Sequence, residues 1–349
     1  MRSLPPIPNE APRVKADVDF DKAGKQYGHI RVPRPQPHEV LGVCGIPIVV
    51  IKNGSGPTFL LTAGTHGDEF GGQVGLLNLA RTLEPEQVQG RIIIIPALDL
   101  PAVEVNNRLC PVDGRDLNRT FPGNRNGSFT EMLADYVTRV LLPMTDYNMD
   151  IHAGGNFHTT APNTCQHFVD DPKQMKANID IGMAWGAPYH AVLRESDHTN
   201  SFMTIADRMG VSALSAEFGG LGQIGTDTLP IIERGLRNML KLHGAIEGKI
   251  DAPATPPRLM GLTDPSTAIV SAPHSGLFQA FHAGGDWVEK DQRAGLIYDF
   301  RDPSRPPTEV HYKQSGCLWA VHSGARVERF DGLAIIINDL DPAELGLPA

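Results

Sequence analysis

The chain has 349 residues, too many for one ordinary core, which implies two domains. Its 41% hydrophobic and 20% charged content is that of a soluble globular protein. A net charge of −9 at pH 7 excludes nucleic-acid binding by bulk electrostatics, and four scattered cysteines exclude a disulfide framework.

The N-terminal stretch MRSLPPIPNEAPRV has no apolar signal region, and the longest apolar runs, such as Ile46 to Ile51, fall far short of a membrane span. A reducing cytoplasm is the expected setting, with no membrane and no nucleic-acid partner. Residues 14–52 read as short strands and turns, the clearest being Ile46 to Ile51, closed by Asn53-Gly54. A buried strand follows at 58–64, helical apolar spacing at 72–83, and an apolar strand at Arg91 to Ile95. The pattern predicts a helix over 129–142 with Thr130 as its N-cap, then a strand from Asp146 to Ile151. Residues 173–185, 199–209 and 227–247 read as helices, with a strand from Ser212 to Glu217 between two of them. Strands alternating with helices imply an α/β fold whose mostly parallel or mixed sheet is flanked by helices.

After Gly248 the pattern changes. Residues 251–257, DAPATPP, form a proline-rich link, and short strand-like runs follow at 268–271, 277–282, 294–300, 317–322 and 333–338. The expected division is an α/β domain over 1–250, with a β-rich N-terminal extension, and a smaller β-rich domain over 251–349. The phrase GGDWVEKDQRAGLIYD resembles the hammerhead of barrel-sandwich, lipoyl-like domains, but no Met-Lys-Met tip follows it. That domain is read as structural, a wall of a site or a contact in a homo-oligomer.

The chemistry is carried by four stretches. In FLLTAGTHGDEFGG, His66 and Glu69 sit just past the end of a buried strand, where open α/β sheets place ligands. Three readings compete there: a helix start whose dipole favours acids, a solvated turn, or half of a metal site. In DIHAGG a second apolar strand delivers His152 into a glycine-rich turn. One strand-end histidine is ordinarily structural. Two, with a glutamate three residues beyond the first, form a catalytic zinc set of three protein ligands with one open position. Asp150 would lie beside His152, either holding it or facing a helix.

In SAEFGG a third strand ends at Glu217. Hydrolysis at a metal needs a base to take the proton of water and an acid to return it to the leaving nitrogen, and one carboxylate can do both. The alternative is a surface or helix-start glutamate. The fourth stretch, NNRLCPVDGRDLNRTFPG, is polar and carries Arg108, Arg115 and Arg119. An arginine near the metal stabilises an oxyanion, and another can hold a substrate carboxylate in bidentate fashion. The competing view is a solvated loop, which leaves Leu117 and Phe121-Pro122 unexplained.

Together HGDE, NNRLCPVDGRDLNRTFPG, DIHAGG and SAEFGG resemble the succinylglutamate desuccinylase/aspartoacylase family, a branch of the zinc carboxypeptidase superfamily, over roughly residues 40–248. The resemblance implies one Zn2+ on His66, Glu69 and His152, Arg108 at the oxyanion, Asn118 and Arg119 on the substrate α-carboxylate, and Glu217 as general base and acid. It also implies a C-terminal β domain. Asp68 stands where well-known members have Asn. The HGDE spelling and DIHAGG are shared with the bacterial ectoine-catabolism deacetylases, which act on N-acetyl-2,4-diaminobutyrate. A second substrate carboxylate would be read by Arg194, or a substrate amine by Glu195 and Asp197. The expected activity is zinc-dependent removal of an acyl group from a small N-acyl amino acid of the N-acetyl-diaminobutyrate, N-succinylglutamate or N-acetylaspartate type. A zinc carboxypeptidase acting on peptides and a non-catalytic ligand-binding protein on the same fold remain as alternatives.

Overall fold

The structure is a computed structural model and describes residues 12–34, 39–194, 200–262 and 264–345. In chain order the first strands are β1 (Lys15–Ala16), β2 (Gly24–Pro33), β3 (Val43–Asn53), β4 (Thr58–Ala63) and β5 (Gly90–Ile95). Then come β6 (Tyr147–His152), β7 (His158–His167), β8 (Tyr189–Leu193) and β9 (Ser212–Gly220). The C-terminal segment adds β10 (Arg258–Gly261), β11 (Ile269–Ser271), β12 (Gly276–Ala280), β13 (Trp287–Val288) and β14 (Arg293–Tyr298). It closes with β15 (Thr308–His311), β16 (Gly316–His322), β17 (Arg326–Val327) and β18 (Gly332–Asp339). The helices are α1 (Gly71–Thr82), α2 (Leu100–Glu104), α3 (Phe129–Tyr136), α4 (Pro172–Trp185), α5 (Phe202–Arg208), α6 (Leu229–Leu242) and the short turn α7 (Pro265–Ala268).

The central strands run in the order β5-β4-β6-β9, parallel throughout. Antiparallel neighbours extend them on both sides, β3 beside β5 and β7 beside β9, so the sheet is mixed. The continuous apolar runs reflect burial of both faces. Leu60, Ile93 and Ile95 pack toward α3 and α5, while Phe59, Leu61, Ile92 and Ile94 pack toward α1, α4 and α6.

The C-terminal strands have a core of their own, including Val270, Phe278, Ile297 and Leu333. They also continue the main sheet: β10 pairs parallel with β8, and β16 pairs with β7 at Ala320 and Thr160. Four further strands form a separate small sheet in the order β15-β14-β12-β17.

Four sequence expectations change. Thr130 is not the cap of α3; Ser128 is, in a capping box with Glu131. Thr130 instead donates through its backbone N–H and hydroxyl to Asp113 Oδ2, at 2.9 and 2.8 Å. The helix expected over 129–142 loosens into a π turn at Val137–Leu141 and a 3-10 turn at Leu142–Met144, where Pro143 cannot continue the α ladder. Strands β7 and β8 fill a region whose sequence gave no strand signal, and α7 is a helical turn where none was expected. Among the described residues no helix is long and apolar enough to cross a membrane.

Candidate active site

Strands β4, β6 and β9 lie side by side and each carries one functional group at this rim, although β9 does not end at Glu217 as the sequence suggested but continues to Gly220 along β7. His66 lies three residues beyond β4, His152 ends β6, and Glu217 lies on β9 as the register partner of His152. The chain turns sharply after β4 because Gly67 packs against the backbone of Ala102, where a Cβ would lie 2.0 Å from the carbonyl carbon. After β6, Gly155 takes φ +57°, and Asp68 receives the backbone N–H of Asn156 at 2.9 Å. The acid of HGDE therefore fastens the turn of DIHAGG and takes no place among the metal donors.

His66 Nδ1 lies 2.8 Å from Glu69 Oε1, and His152 Nδ1 lies 2.8 Å from Glu69 Oε2. The three side chains are nearly fully buried, and one donor atom from each falls within 4.8 Å of the others. The far nitrogen of each ring is held by its own carboxylate. His152 Nε2–H donates to Asp150 Oδ2 at 2.8 Å, and His66 Nε2–H donates to Asp116 Oδ1 at 3.2 Å. Asp150 is fixed in turn by the hydroxyls of Thr62, at 2.7 Å, and Thr65, at 2.9 Å. Such outer carboxylates orient metal-binding histidines and raise their basicity. Two imidazoles and one carboxylate at one buried point could hold a divalent cation, and zinc chemistry suits this donor set.

Electrostatics follow from these contacts. Burial would depress the His152 ring, but Asp150 and Glu69 outweigh it and hold the ring well above its ordinary value. Burial likewise opposes the charge on Glu69, yet the two histidines keep its carboxyl well below the usual range. Burial, reinforced by the Glu69 charge, pushes Glu217 up to about 8. A carboxyl with that affinity for protons is poised near neutrality, the condition for proton transfer in both directions.

The polar loop after α2 is anchored rather than solvated. Leu117 and Phe121 are fully buried, and the Phe121 ring stacks on Phe202 at 5.0 Å. Arg108 donates through Nε and Nη2 to Asp116 Oδ2, at 3.1 and 2.9 Å. That leaves Nη1 directed at the donor cluster, 3.4 Å from His66 Nδ1 and 3.9 Å from Glu69 Oε1. Asn118 accepts the backbone N–H of Phe202 through Oδ1 at 2.9 Å, and its NH2 makes no hydrogen bond among the described residues. Arg119 donates to the Asn118 carbonyl at 2.8 Å and has no ion-pair partner among the described residues. Arg115 is elsewhere, 3.7 Å from Glu131.

All seven predicted site residues line one cavity of about 500 Å³. Trp319 and Ala320 of β16 and Ile335 of β18 close one side of it, so the C-terminal segment supplies a wall. Arg194 is not part of the lining. It stacks on Phe168, 4.3 Å from the ring centre, beside a different depression. Glu195 and Asp197 lie outside the described residues. Sequence reasoning missed Asp116 as the link between Arg108 and His66, and also His167 and Trp319. Asp116 had a signal, an acid two residues before Asn118 in an arginine-rich loop; the other two had none.

Known proteins resemble this chain in sequence and in fold. The family model described as the succinylglutamate desuccinylase/aspartoacylase catalytic domain matches residues 55–243. An N-alpha-acetyl-L-2,4-diaminobutyric acid deacetylase from Halomonas elongata is 38% identical over 323 residues, covering 93% of this chain and 94% of that protein. A crystal structure of a succinylglutamate desuccinylase/aspartoacylase from Rhodobacter sphaeroides superposes with a TM-score of 0.91 at 39% identity, covering 94% of this chain and 99% of the other. The product-bound ectoine utilization protein EutE (DoeB) from Ruegeria pomeroyi gives a TM-score of 0.90 at 32% identity, covering 94% and 100%.

Proposed function

The chain belongs to the succinylglutamate desuccinylase/aspartoacylase family, and from that premise we propose that it is a zinc-dependent amidohydrolase that deacetylates an N-acetylated diamino acid of the N-acetyl-2,4-diaminobutyrate type. One observation carries the choice of substrate. The only arginines lining the cavity among the described residues are Arg108, already bound to Asp116, and Arg119, and no lysine lines it. Among the described residues, Arg119 is thus the one uncommitted arginine or lysine for a substrate carboxylate, which disfavours the doubly acidic succinylglutamate and acetylaspartate. The similarity to the Halomonas elongata deacetylase points the same way.

His66, Glu69 and His152 would hold the zinc, which supplies Lewis acidity toward the acyl carbonyl and makes water more acidic. The chain's own groups do the rest. Arg119 receives the α-carboxylate in bidentate fashion, and the Asn118 NH2 adds a donor. Arg108 Nη1 faces the place where the acyl oxygen gains negative charge, its other nitrogens being pinned by Asp116. Glu217 takes a proton from the attacking water and returns it to the departing nitrogen as the C–N bond breaks. The products are a carboxylate and a free amine.

We read residues 1–250 as the catalytic unit and 251–349 as the unit that narrows its mouth. A cavity of about 500 Å³ walled by Trp319 suits a small substrate more than a peptide. A purely binding role would not need ligands, base and oxyanion donor together. The test is metal analysis with a hydrolysis panel: Nα-acetyl-2,4-diaminobutyrate, N-acetylaspartate, N-succinylglutamate and dipeptides, with zinc present. About one zinc per chain, lost in His66→Ala and His152→Ala, and fastest turnover of the diamino acid are expected. Faster cleavage of the acidic substrates or the peptides would overturn the proposal.

A further inference from the structure

Strand β7 runs antiparallel to β9, with Asn163 opposite Glu217 and Cys165 opposite Ser215. Alternate residues share a face, and Cys165, His167, Ser215 and Glu217 all line the cavity. The cavity is thus a trough along two strands. His167 lies four residues beyond the register of Glu217, about 13 Å at the usual rise per residue.

His167 Nδ1 is 2.9 Å from Asp207 Oδ2 of α5, and both side chains are largely buried, 12% and 9% exposed. A carboxylate only accepts, so Nδ1 carries the proton and, in the neutral ring, Nε2 is a bare acceptor. Nε2 makes no hydrogen bond among the described residues, while the ring lines the cavity. Leu193 is the register partner of His167 on β8 and packs in one cluster with Cys165 and Trp319. This end of the trough therefore combines an apolar wall, suited to methylene groups, with one acceptor backed by a negative charge.

We infer that His167, held by Asp207, reads the side-chain ammonium of the substrate and so determines the preference for a diamino acid; the inference rests on the function proposed above. The ammonium donates to Nε2, and the Asp207 carboxylate behind the ring favours the cation. The substrate methylenes lie against Leu193 and Trp319. With the ring neutral, a carboxylate at the same place would face a lone pair instead of a donor.

The test compares two substrates of nearly equal shape on the full-length, zinc-loaded protein: Nα-acetyl-2,4-diaminobutyrate and N-acetylnorvaline, in which a methyl replaces the ammonium. In His167→Leu, KM for the diamino substrate should rise about 10- to 100-fold, the worth of a charge-assisted hydrogen bond. Its kcat should stay within about threefold, and KM for the norvaline substrate should not rise. His167→Gln, which keeps an acceptor, should retain most of the preference, and Asp207→Asn should lose part of it. Should His167→Leu fail to show a cooperative melt, Asp207→Asn decides. Equal losses on both substrates, or an unchanged preference in a folded variant, would overturn the inference while leaving the proposed function intact. A wild-type protein that prefers the norvaline compound or an acidic analogue overturns both.

Discussion

Asp116 binds Arg108 through two hydrogen bonds to one oxygen, Oδ2, while its other oxygen receives His66 Nε2. One carboxylate thus sets the direction of the oxyanion donor and of a metal-binding ring. Burial opposes its charge, but the hydrogen bond from His66 and the charges of His66, Arg108 and Arg119 keep it well below the usual carboxylate range. Asp116→Asn keeps the shape and loses the charge. Zinc affinity, measured by chelator competition, should fall about 10- to 100-fold, the usual effect of removing an outer partner. The kcat at saturating zinc should also fall, because Arg108 loses its anchor. If both quantities stay at wild-type values, Asp116 has no part in shaping the site.

Arg119 is set apart from Arg108 by what it lacks. It donates to a neighbouring carbonyl and forms no ion pair among the described residues, so its fork is available to a ligand. Arg119→Lys keeps the charge but loses the bidentate geometry. The kcat/KM for an N-acetyl diamino acid should fall by about tenfold or more. The carboxamide of the same substrate should be poor for the wild type. Equal turnover of acid and amide would show that this loop reads no carboxylate.

His190 offers a test of stability apart from the site. It is fully buried under Gly182 of α4, between Thr164 Oγ1 at 2.8 Å and Gln166 Oε1 at 2.9 Å. Burial lowers its pKa to about 4. The unfolded chain gains a proton near the ordinary value of about 6.5, whereas the folded chain does not gain it until about 4. The neutral ring's contribution is therefore complete above pH 6.5 and is lost as pH falls toward 4. From pH 7 to pH 4 it amounts to about 3 kcal/mol. His190→Gln should be less stable at pH 7, and its deficit should shrink by about that amount at pH 4 in urea unfolding. A deficit that does not change with pH would place the titration elsewhere.

The parts of the fold legible in the sequence were those whose burial is written locally. Phe59 to Leu61 and Ile92 to Ile95 are apolar at every position because both faces of β4 and β5 are covered. His66 just past β4, His152 at the end of β6 and Glu217 near the end of β9 could therefore be placed at one rim of the sheet. Strand β7 was not legible. Its sequence, HTTAPNTCQH, alternates small and polar groups and contains a proline, and it is held by partners far along the chain, β9 and β16. With β7 unseen, His167 could not be assigned to the cavity. The runs of the C-terminal segment were visible one by one, but the register that joins Ala320 to Thr160 is a tertiary fact. Thr130 and Ser128 are both suitable capping residue types, and the pairing of Ser128 with Glu131 settles the cap on Ser128.

Glu217 shares a ladder position with His152 and is pushed up to about 8 by burial and the Glu69 charge. A surface or helix-start glutamate would have neither property. Gln is close to Glu in size and still makes hydrogen bonds, but it cannot accept the proton of water. Glu217→Gln should therefore keep about one zinc per chain and bind substrate about as well as the wild type. Its single-turnover rate should fall by a factor of about 10² to 10⁴, the worth of a positioned acid–base group. Loss of zinc in this variant would make Glu217 a metal ligand instead. Full zinc with a near wild-type rate would remove Glu217 from the chemistry. Zinc content and single-turnover rate, measured together on this one variant, separate the three roles, because each role moves a different pair of values.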